Sequence, residues 1–243
     1  YVWIWLPEAT EPVVAGKLEA DEQGNVQFNY GRSYLERIKD GLLAIPIYDP
    51  ELPLKKGVLP LLDGLSMPGC IRDAAPDAWG RRVIINKKLG LKGKEIDTDE
   101  FGELTYLLES GSDRIGALDF QRSPSEYVPR SATNVSLEEL LESAERVEQG
   151  VPLTPELDQA IFHGSSIGGA RPKALMEDQG IKYVAKFSSS ADVYSVVKAE
   201  FIAMRLAVAA GINAAPVKLV QVAKKDILLV ERFDREKVIN GWT

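Results

Sequence analysis

Between His163 and Leu175 the sequence places Gly164, Gly168 and Gly169 and, a few residues on, Lys173. Glycine reaches positive φ and lets a backbone pass close to a ligand. Successive free N–H groups in such a loop make a concave anion site, and a lysine just beyond is a mobile point charge suited to a phosphate. The stretch reads as a phosphate-cradling loop, with a mobile glycine-rich surface turn as the alternative. It is not a Walker A loop. Gly164 and Gly169 have the right separation, but Ala170 and Arg171 stand where Lys and Ser or Thr are required. Nor does it carry the Gly-x-Gly-x-x-Gly spacing of a dinucleotide fingerprint.

Downstream, Ile181 to Phe187 reads as a strand carrying Lys186. A helix with Glu200 inside it follows, and two further strands end in Val230-Glu231-Arg232-Phe233-Asp234. Strand alternation puts Val184 and Lys186 on one face, opposite Ala185 and Phe187. Lysine is rarely buried without a partner, and Glu200 is a natural one; an exposed strand lysine is the alternative. Glycine loop, strand lysine, helix glutamate, hinge is the order of a protein-kinase small lobe, where that ion pair holds the lysine against the α- and β-phosphates. On this reading Gly168, Gly169, Ala170, Arg171 and Lys173 supply N–H groups to ATP, and Pro172 has none to give. The Lys173 side chain reaches a phosphate from the loop's far side. Around Arg232, Glu231 and Phe233 offer backbone groups to the adenine edge, and Asp234 accepts from the ribose hydroxyls. The alternative for these four is a strand end entering a charged turn.

The elements that must position these residues are legible from periodicity and turn chemistry. Val2 to Leu6, Val13 to Leu18 and Val26 to Tyr30 read as strands, with Gly24-Asn25 as a turn signal and Val26, Phe28 and Tyr30 on one buried face. Ala44 to Tyr48 reads as a short strand that Pro46 confines to an edge or end. Asp77 to Leu89 turns helical, with Pro76 at a permitted start, Gly90 as a stop, and Trp79, Val83 and Ile84 on one face. Arg81 and Arg82 read as a solvated face of that helix, with anion binding as the alternative. A second helix spans Asp99 to Ser110, and Ile115 to Phe120 returns as a strand. Ser123 to Asn134 is polar and proline-containing, the best boundary between two lobes. Ser136 and Glu139 form a capping box for a helix reaching about Gln149 and stopping at Gly150. Pro155 to Phe162 is a helix that delivers the chain to the glycine loop. Lys173 to Met176 pairs with Ile181 to Phe187 around a tight turn. Ser190 or Asp192 caps a helix running to Ala210, with Phe201, Ile202, Leu206 and Ala209 as its apolar stripe. Val217 to Val222 and Ile227 to Arg232 form a second hairpin. The expected class is α+β: a β-rich N-terminal subdomain with helices over residues 1–130, then a protein-kinase-like small lobe over 131–243.

The chain has 243 residues, 45% hydrophobic and 27% charged, with a net charge of −7. That is an ordinary globular composition, and the acidic balance argues against a broad nucleic-acid-binding surface. No apolar run approaches the roughly 18 residues of a membrane span, and no signal-peptide pattern is present. Cys70 is the only cysteine and His163 the only histidine. A reducing cytoplasm fits a chain that cannot form an internal disulfide, Cys70 reads as a structural thiol, and a metal or catalytic-triad role for His163 lacks partner residues.

Five stretches occur together and in order. They are Ser166-Ile167-Gly168-Gly169-Ala170-Arg171-Pro172-Lys173-Ala174-Leu175, Val184-Ala185-Lys186-Phe187, Val230-Glu231-Arg232-Phe233-Asp234-Arg235, Arg72 through Arg82, and Asp113 through Leu118. In this combination nearly the whole chain resembles the HipA family, Ser/Thr protein kinases that are the toxins of toxin–antitoxin pairs. The resemblance implies ATP and Mg²⁺ as cofactors, a DNA-binding antitoxin as partner, contact with nucleic acid only through that antitoxin, and a protein substrate such as an aminoacyl-tRNA synthetase, with growth arrest as the effect. It implies autophosphorylation of Ser166, after which the modified loop leaves the nucleotide site. Added phosphate charge beside a site built for phosphates disfavours ATP. It assigns no side-chain role to Arg171 or Pro172, where the family varies.

A kinase also needs a catalytic-loop Asp, and an Asn and an Asp for Mg²⁺. These are expected downstream of Thr243, so the chain reads as the N-terminal half of such a kinase, inactive alone. A non-catalytic module that docks a DNA-binding antitoxin is the alternative, and an unrelated phosphate-binding enzyme is a third reading.

Overall fold

The computed structural model describes residues 1–89, 101–130, 135–161, 165–239 and 241–243, with the backbone alone at residues 89 and 159. Gly90, Asp99, Phe162, His163, Gly164 and the last four residues of the expected lobe boundary lie outside the described residues.

The first unit is a five-stranded sheet with short helices. Its described elements are β1 (Val2–Ile4), β2 (Val13–Ala20), β3 (Val26–Tyr30), α1 (Arg32–Glu36), β4 (Val58–Leu59), α2 (Gly69–Arg72), α3 (Ala78–Leu89), α4 (Glu103–Glu109) and β5 (Leu118–Phe120). The sheet order is β4-β3-β2-β1-β5, with each described pair antiparallel. Val26, Phe28 and Tyr30 are buried and alternate with half-buried Gln27 and Asn29, as the period of two requires. They share a core with Val2, Ile4, Ile71 and Phe120.

Three expectations are corrected here. Ala44 to Tyr48 is not a strand. The Ile45 N–H donates to the Tyr34 hydroxyl at 3.2 Å and the Ile47 N–H to the Tyr30 hydroxyl at 2.8 Å. With Pro46 between them lacking an N–H, stacked tyrosines (ring centroids 5.7 Å apart) replace a partner strand. The helix expected from Asp99 starts, among the described residues, at Glu103 with Gly102 as its N-cap. The strand expected from Ile115 begins at Leu118, after Gly116 turns with φ 85°.

The second unit contains α5 (Leu137–Gln149), α6 (Pro155–Ile161), β6 (Lys173–Asp178), β7 (Ile181–Phe187), α7 (Val196–Ala209), β8 (Val217–Val222), β9 (Lys225–Glu231), β10 (Lys237–Val238) and β11 (Gly241–Trp242). The sheet runs β6-β7-β9-β8. α5 carries the capping box of Ser136 and Glu139 and ends at Gly150 in the left-handed region. Gln179 and Gly180 turn the first hairpin at positive φ; Ala223 and Lys224 turn the second without a glycine. Trp79 and Val83 of α3 pack with α5, β7 and β9 in one core, so the first half of the chain supplies part of the second unit's interior.

The helix containing Glu200 differs from expectation at its start and on its face. It begins at Val196 behind Ser195. Asp192 instead accepts from the Ser189 N–H at 3.0 Å and pairs with Arg171 at 2.6 Å. Val197 is buried, and Glu200, Phe201 and Met204 are half-buried beside it. At about 100° per residue, turning Glu200 toward the sheet sends Ile202 and Leu206 to the opposite side, 57% and 63% exposed. The predicted stripe is therefore mostly uncovered.

Trp79 is completely buried, and its Nε1–H donates to the Lys173 carbonyl at 2.8 Å. Trp79→Ala is expected to lower stability by about 3–5 kcal/mol, read as a fall in the urea midpoint. A change under about 1 kcal/mol would contradict this placement.

Candidate functional site

β7 presents Lys186 and α7 presents Glu200, and the ammonium donates to the carboxylate. Both side chains are about one-third exposed, so the pair stands at the edge of the core and not within it. Across the hairpin, Lys173 lies directly opposite Lys186 in the β6–β7 register. Like charges in that position repel. Lys173 turns away, is 7% exposed, and donates from Nζ to the Gly168 carbonyl at 2.7 Å. Burial, then the charge of Lys186, pushes its pKa down to about 8, against the pull of Asp77 and Glu200. Among the described residues it has no carboxylate within ion-pair distance. Two cations thus stand side by side under the glycine loop.

The described part of that loop is held from two directions. Ser165 and Ser166 form a short 3₁₀ turn and are buried. The Ser165 hydroxyl accepts from the Gly111 N–H at 3.1 Å, and the Ser166 hydroxyl donates to the Asp113 carbonyl at 3.1 Å. From the other side comes the first turn of α3. Trp79 N–H donates to the Gly169 carbonyl at 3.1 Å, and Arg82 to the Ala170 carbonyl at 2.6 Å. A Cβ on Gly80 would collide with the Ser165 carbonyl. The Gly169 N–H donates to the Asp77 carboxylate at 2.6 Å. In this structure a side-chain carboxylate occupies the Gly169 N–H expected to face a ligand. Arg81 and Arg82 are not a merely solvated face either, since Arg81 binds Glu103 at 2.7 and 2.8 Å. Sequence reasoning missed Asp77, Trp79 and Arg82 as loop partners. Their signal was their place in one of the family-like stretches.

At the far end of β9, the Glu231 N–H donates to the Pro216 carbonyl at 2.9 Å. Proline has no N–H to return the bond, so the Glu231 carbonyl lacks that ladder partner. The Arg232 N–H goes to the Lys182 carbonyl at 2.9 Å, and Phe233 is 92% exposed. The Arg232 guanidinium is buried and reaches Asp113 at 2.8 Å, the Arg114 carbonyl at 2.8 Å, and Asp234 at 2.9 and 2.7 Å. Arg235 adds a bond to Asp234 at 3.1 Å, and the Gly116 N–H another at 3.4 Å. Burial would raise Asp234, yet Arg232 and Arg235 hold it below the usual carboxylate range. In this structure both Asp234 oxygens are engaged within the protein, as a strand end entering a charged turn would have them.

A cavity of about 630 Å³ opens beside this network, lined by Trp5, Tyr127, Asp113, Lys182, Asp234 and Arg235 among others. Among the described residues no group of three or more His, Cys, Asp or Glu is arranged to hold a metal ion, and no helix is long and apolar enough to cross a membrane. Cys70 has its thiol pushed up to about 12 by burial and by Glu51, which disfavours the reactive thiolate. What the arrangement offers chemically is positive charge: Lys173 and Lys186 lie opposite one another on one face of the β6–β7 hairpin, with Lys173 against the glycine loop.

The Lys173 shift has a pH consequence. Its folded pKa, about 8, lies below the ordinary lysine value of 10.5. The unfolded chain therefore binds more protons between those values, and stability rises with pH there. Lys173→Met removes the charge. Its stability advantage over the parent should shrink as pH rises from 8 toward 10.5, by on the order of 3 kcal/mol in full. Paired urea titrations across that range check this; a gap independent of pH would contradict it.

With the geometry in hand, comparisons with known proteins are informative. A family profile described as the HipA N-terminal domain matches residues 6–121, and one described as the HipA-like C-terminal domain matches residues 165–241. Comparison with curated proteins finds no match. Among solved structures, the chain is similar to HipA of the Shewanella oneidensis MR-1 toxin–antitoxin system, solved with HipB and its operator DNA, at 21% identity and a TM-score of 0.56. The alignment covers 98% of this chain and 52% of that one, so this chain spans about half the length of that HipA. At such identity the likeness is one of fold, a mixed arrangement of helices and strands. With two HipA domain profiles matching in order along it, the chain belongs to the HipA family.

Proposed function

We propose that this chain forms the nucleotide-binding part of a HipA-like Ser/Thr protein kinase toxin. The observation that carries the reading is the Lys186–Glu200 pair between β7 and α7. In kinases such a pair positions the lysine against the α- and β-phosphates of ATP. The sheet β6-β7-β9-β8 with α7 beside it supports a kinase-like small lobe. So does the Glu231 carbonyl, which Pro216 leaves open as an acceptor for an adenine edge. Phosphoryl transfer to a protein Ser or Thr, an aminoacyl-tRNA synthetase being one such substrate, then needs the Asp, Asn and Asp that hold hydroxyl and Mg²⁺ in the remainder of the protein. Growth arrest in the cytoplasm is the proposed outcome. The similar HipA was solved with HipB and operator DNA, which supports a DNA-binding antitoxin as partner here.

Ser166 is the proposed autophosphorylation site. Its hydroxyl is buried against the Asp113 carbonyl, so modification requires the 3₁₀ turn to leave its seat. The added charge would then bar its return beside Asp113.

In the longer protein, Lys186→Ala should reduce phosphotransfer from Mg-ATP by at least about 100-fold, since the lysine's electrostatic contact is lost, while the unfolding midpoint moves little. Unchanged transfer would remove Lys186 from the site. Peptide mapping after incubation with Mg-ATP should place phosphate on Ser166; phosphate on Ser165, or on neither, would defeat that assignment. A protein that binds an antitoxin but shows no ATP affinity would favour the docking-module reading instead.

A further inference from the structure

Four features converge at one point of the glycine loop. The Asp77 carboxylate, at the start of α3, accepts from the Gly169 N–H at 2.6 Å, a short distance typical of a charge-assisted bond. Gly169 has φ 106°, a conformation glycine adopts freely and other residues do not, and that turn aims its N–H at the carboxylate. A Cβ on Gly168 would lie 2.8 Å from Asp77 Oδ2, so the missing side chain is what admits the carboxylate. On the other side of the same glycine, a Cβ on Gly169 would strike the Lys173 ammonium. An N–H donor, a cleared approach and a neighbouring cation together describe a small anion-binding position, and the anion in it belongs to the protein.

The rest of the first turn of α3 meets the loop with donors, Trp79 N–H to the Gly169 carbonyl and Arg82 to the Ala170 carbonyl. Among the described residues only Asp77 contributes an acceptor there. It is also exposed, so a carboxylate that swings off is rehydrated at once and leaves no buried charge behind. The Trp79 and Arg82 contacts do not depend on it and keep the loop in place.

We propose that Asp77 occupies the phosphate position of the glycine loop in the unliganded protein, and that an incoming phosphate group displaces it. Two like charges cannot share one N–H, so Asp77 is a built-in competitor that lowers anion affinity and holds the empty loop in its ligand-ready shape. The proposal rests on the nucleotide reading only for the identity of the incoming group; the exchange itself requires any oligophosphate.

The test uses calorimetry at low ionic strength with tripolyphosphate and with ATP, on the parent chain and on Asp77→Asn. The amide variant keeps the shape and loses the charge. It should bind both anions about fivefold to tenfold tighter. Equal or weaker binding by the variant overturns the proposal. If ATP binds the parent and the variant equally, the exchange fails while the nucleotide reading survives. If the variant gains affinity for tripolyphosphate but ATP binds no better than tripolyphosphate, the exchange stands and the nucleotide reading fails. A second measurement needs no variant. In the parent, added tripolyphosphate should shift the Gly169 amide and the Asp77 side-chain carboxyl resonances together; movement of neither overturns the proposal.

Discussion

The Asp113 carboxylate is the constraint on which the arrangement depends. It takes Lys182 of β7 at 2.5 Å and Arg232 at 2.8 Å, with Arg235 at 3.5 Å. Burial works against its charge, but Arg232, Lys182 and Arg235 together hold its pKa below the usual range. Arg232 is buried and Lys182 and Arg235 are mostly so, and such charges are tolerable only when fully matched. Asp234 and the carbonyls of Arg114 and Gly116 complete the set. A network of this kind admits few geometries, because each misplaced partner leaves a charge stranded. The next residue, Arg114, turns the opposite way. It is sealed against Asp119, Ser110 and the carbonyls of Ala74 and Leu107, and burial pushes its pKa down to about 10. Adjacent residues thus tie one short segment to both units.

The site inherits its geometry from that joint. Lys182, Val184 and Lys186 share a face of β7, by the strand's period of two. Lys182 is fixed in the network at one end. Lys186 therefore stands about 13 Å further along the same face, where Glu200 meets it. The same segment that carries Asp113 also receives the Ser166 hydroxyl. The loop and the lysine beneath it are referenced to a single point. This is why a pair no more than two-thirds buried is held in place: its partners are positioned by buried ones.

Local chemistry was legible in the sequence, and contacts between distant segments were not. Ser136 with Glu139 lies three residues apart and obeys a helix rule, so the capping box was readable. The hairpin turns at Gln179-Gly180 and the pairing of Lys186 with Glu200 follow from short-range order as well. The Asp77 carboxylate meets Gly169 across 92 positions, a separation at which no periodicity speaks. Around Asp234 the charged turn with Arg232 and Arg235 is local and was readable, whereas the Gly116 N–H reaches it across 118 positions. Ala44 to Tyr48 was misread because alternation reports which side chains are buried and not where the N–H groups go. Two tyrosine hydroxyls took the place of a strand. The face of α7 was misjudged because the apolar stripe and the ion pair were read separately, although both cannot face the sheet: Glu200 sets the rotation, and Ile202 and Leu206 follow it outward.

The glycine loop is therefore a shared element. Its serines seat on the backbone of Gly111 and Asp113, its carbonyls on Trp79 and Arg82, and its N–H on Asp77, all in the first half of the chain. Its two lysines come from the second half. If a ligand on the loop favours one placement of α3 or of the Asp113 segment, then by linkage whatever biases those segments changes the loop's affinity by the same factor. Trp79 makes this coupling stiff. It is buried in the core beneath β7 and β9 while its ring N–H holds the Lys173 carbonyl, so α3 cannot shift without disturbing the strand that carries one of the site's cations.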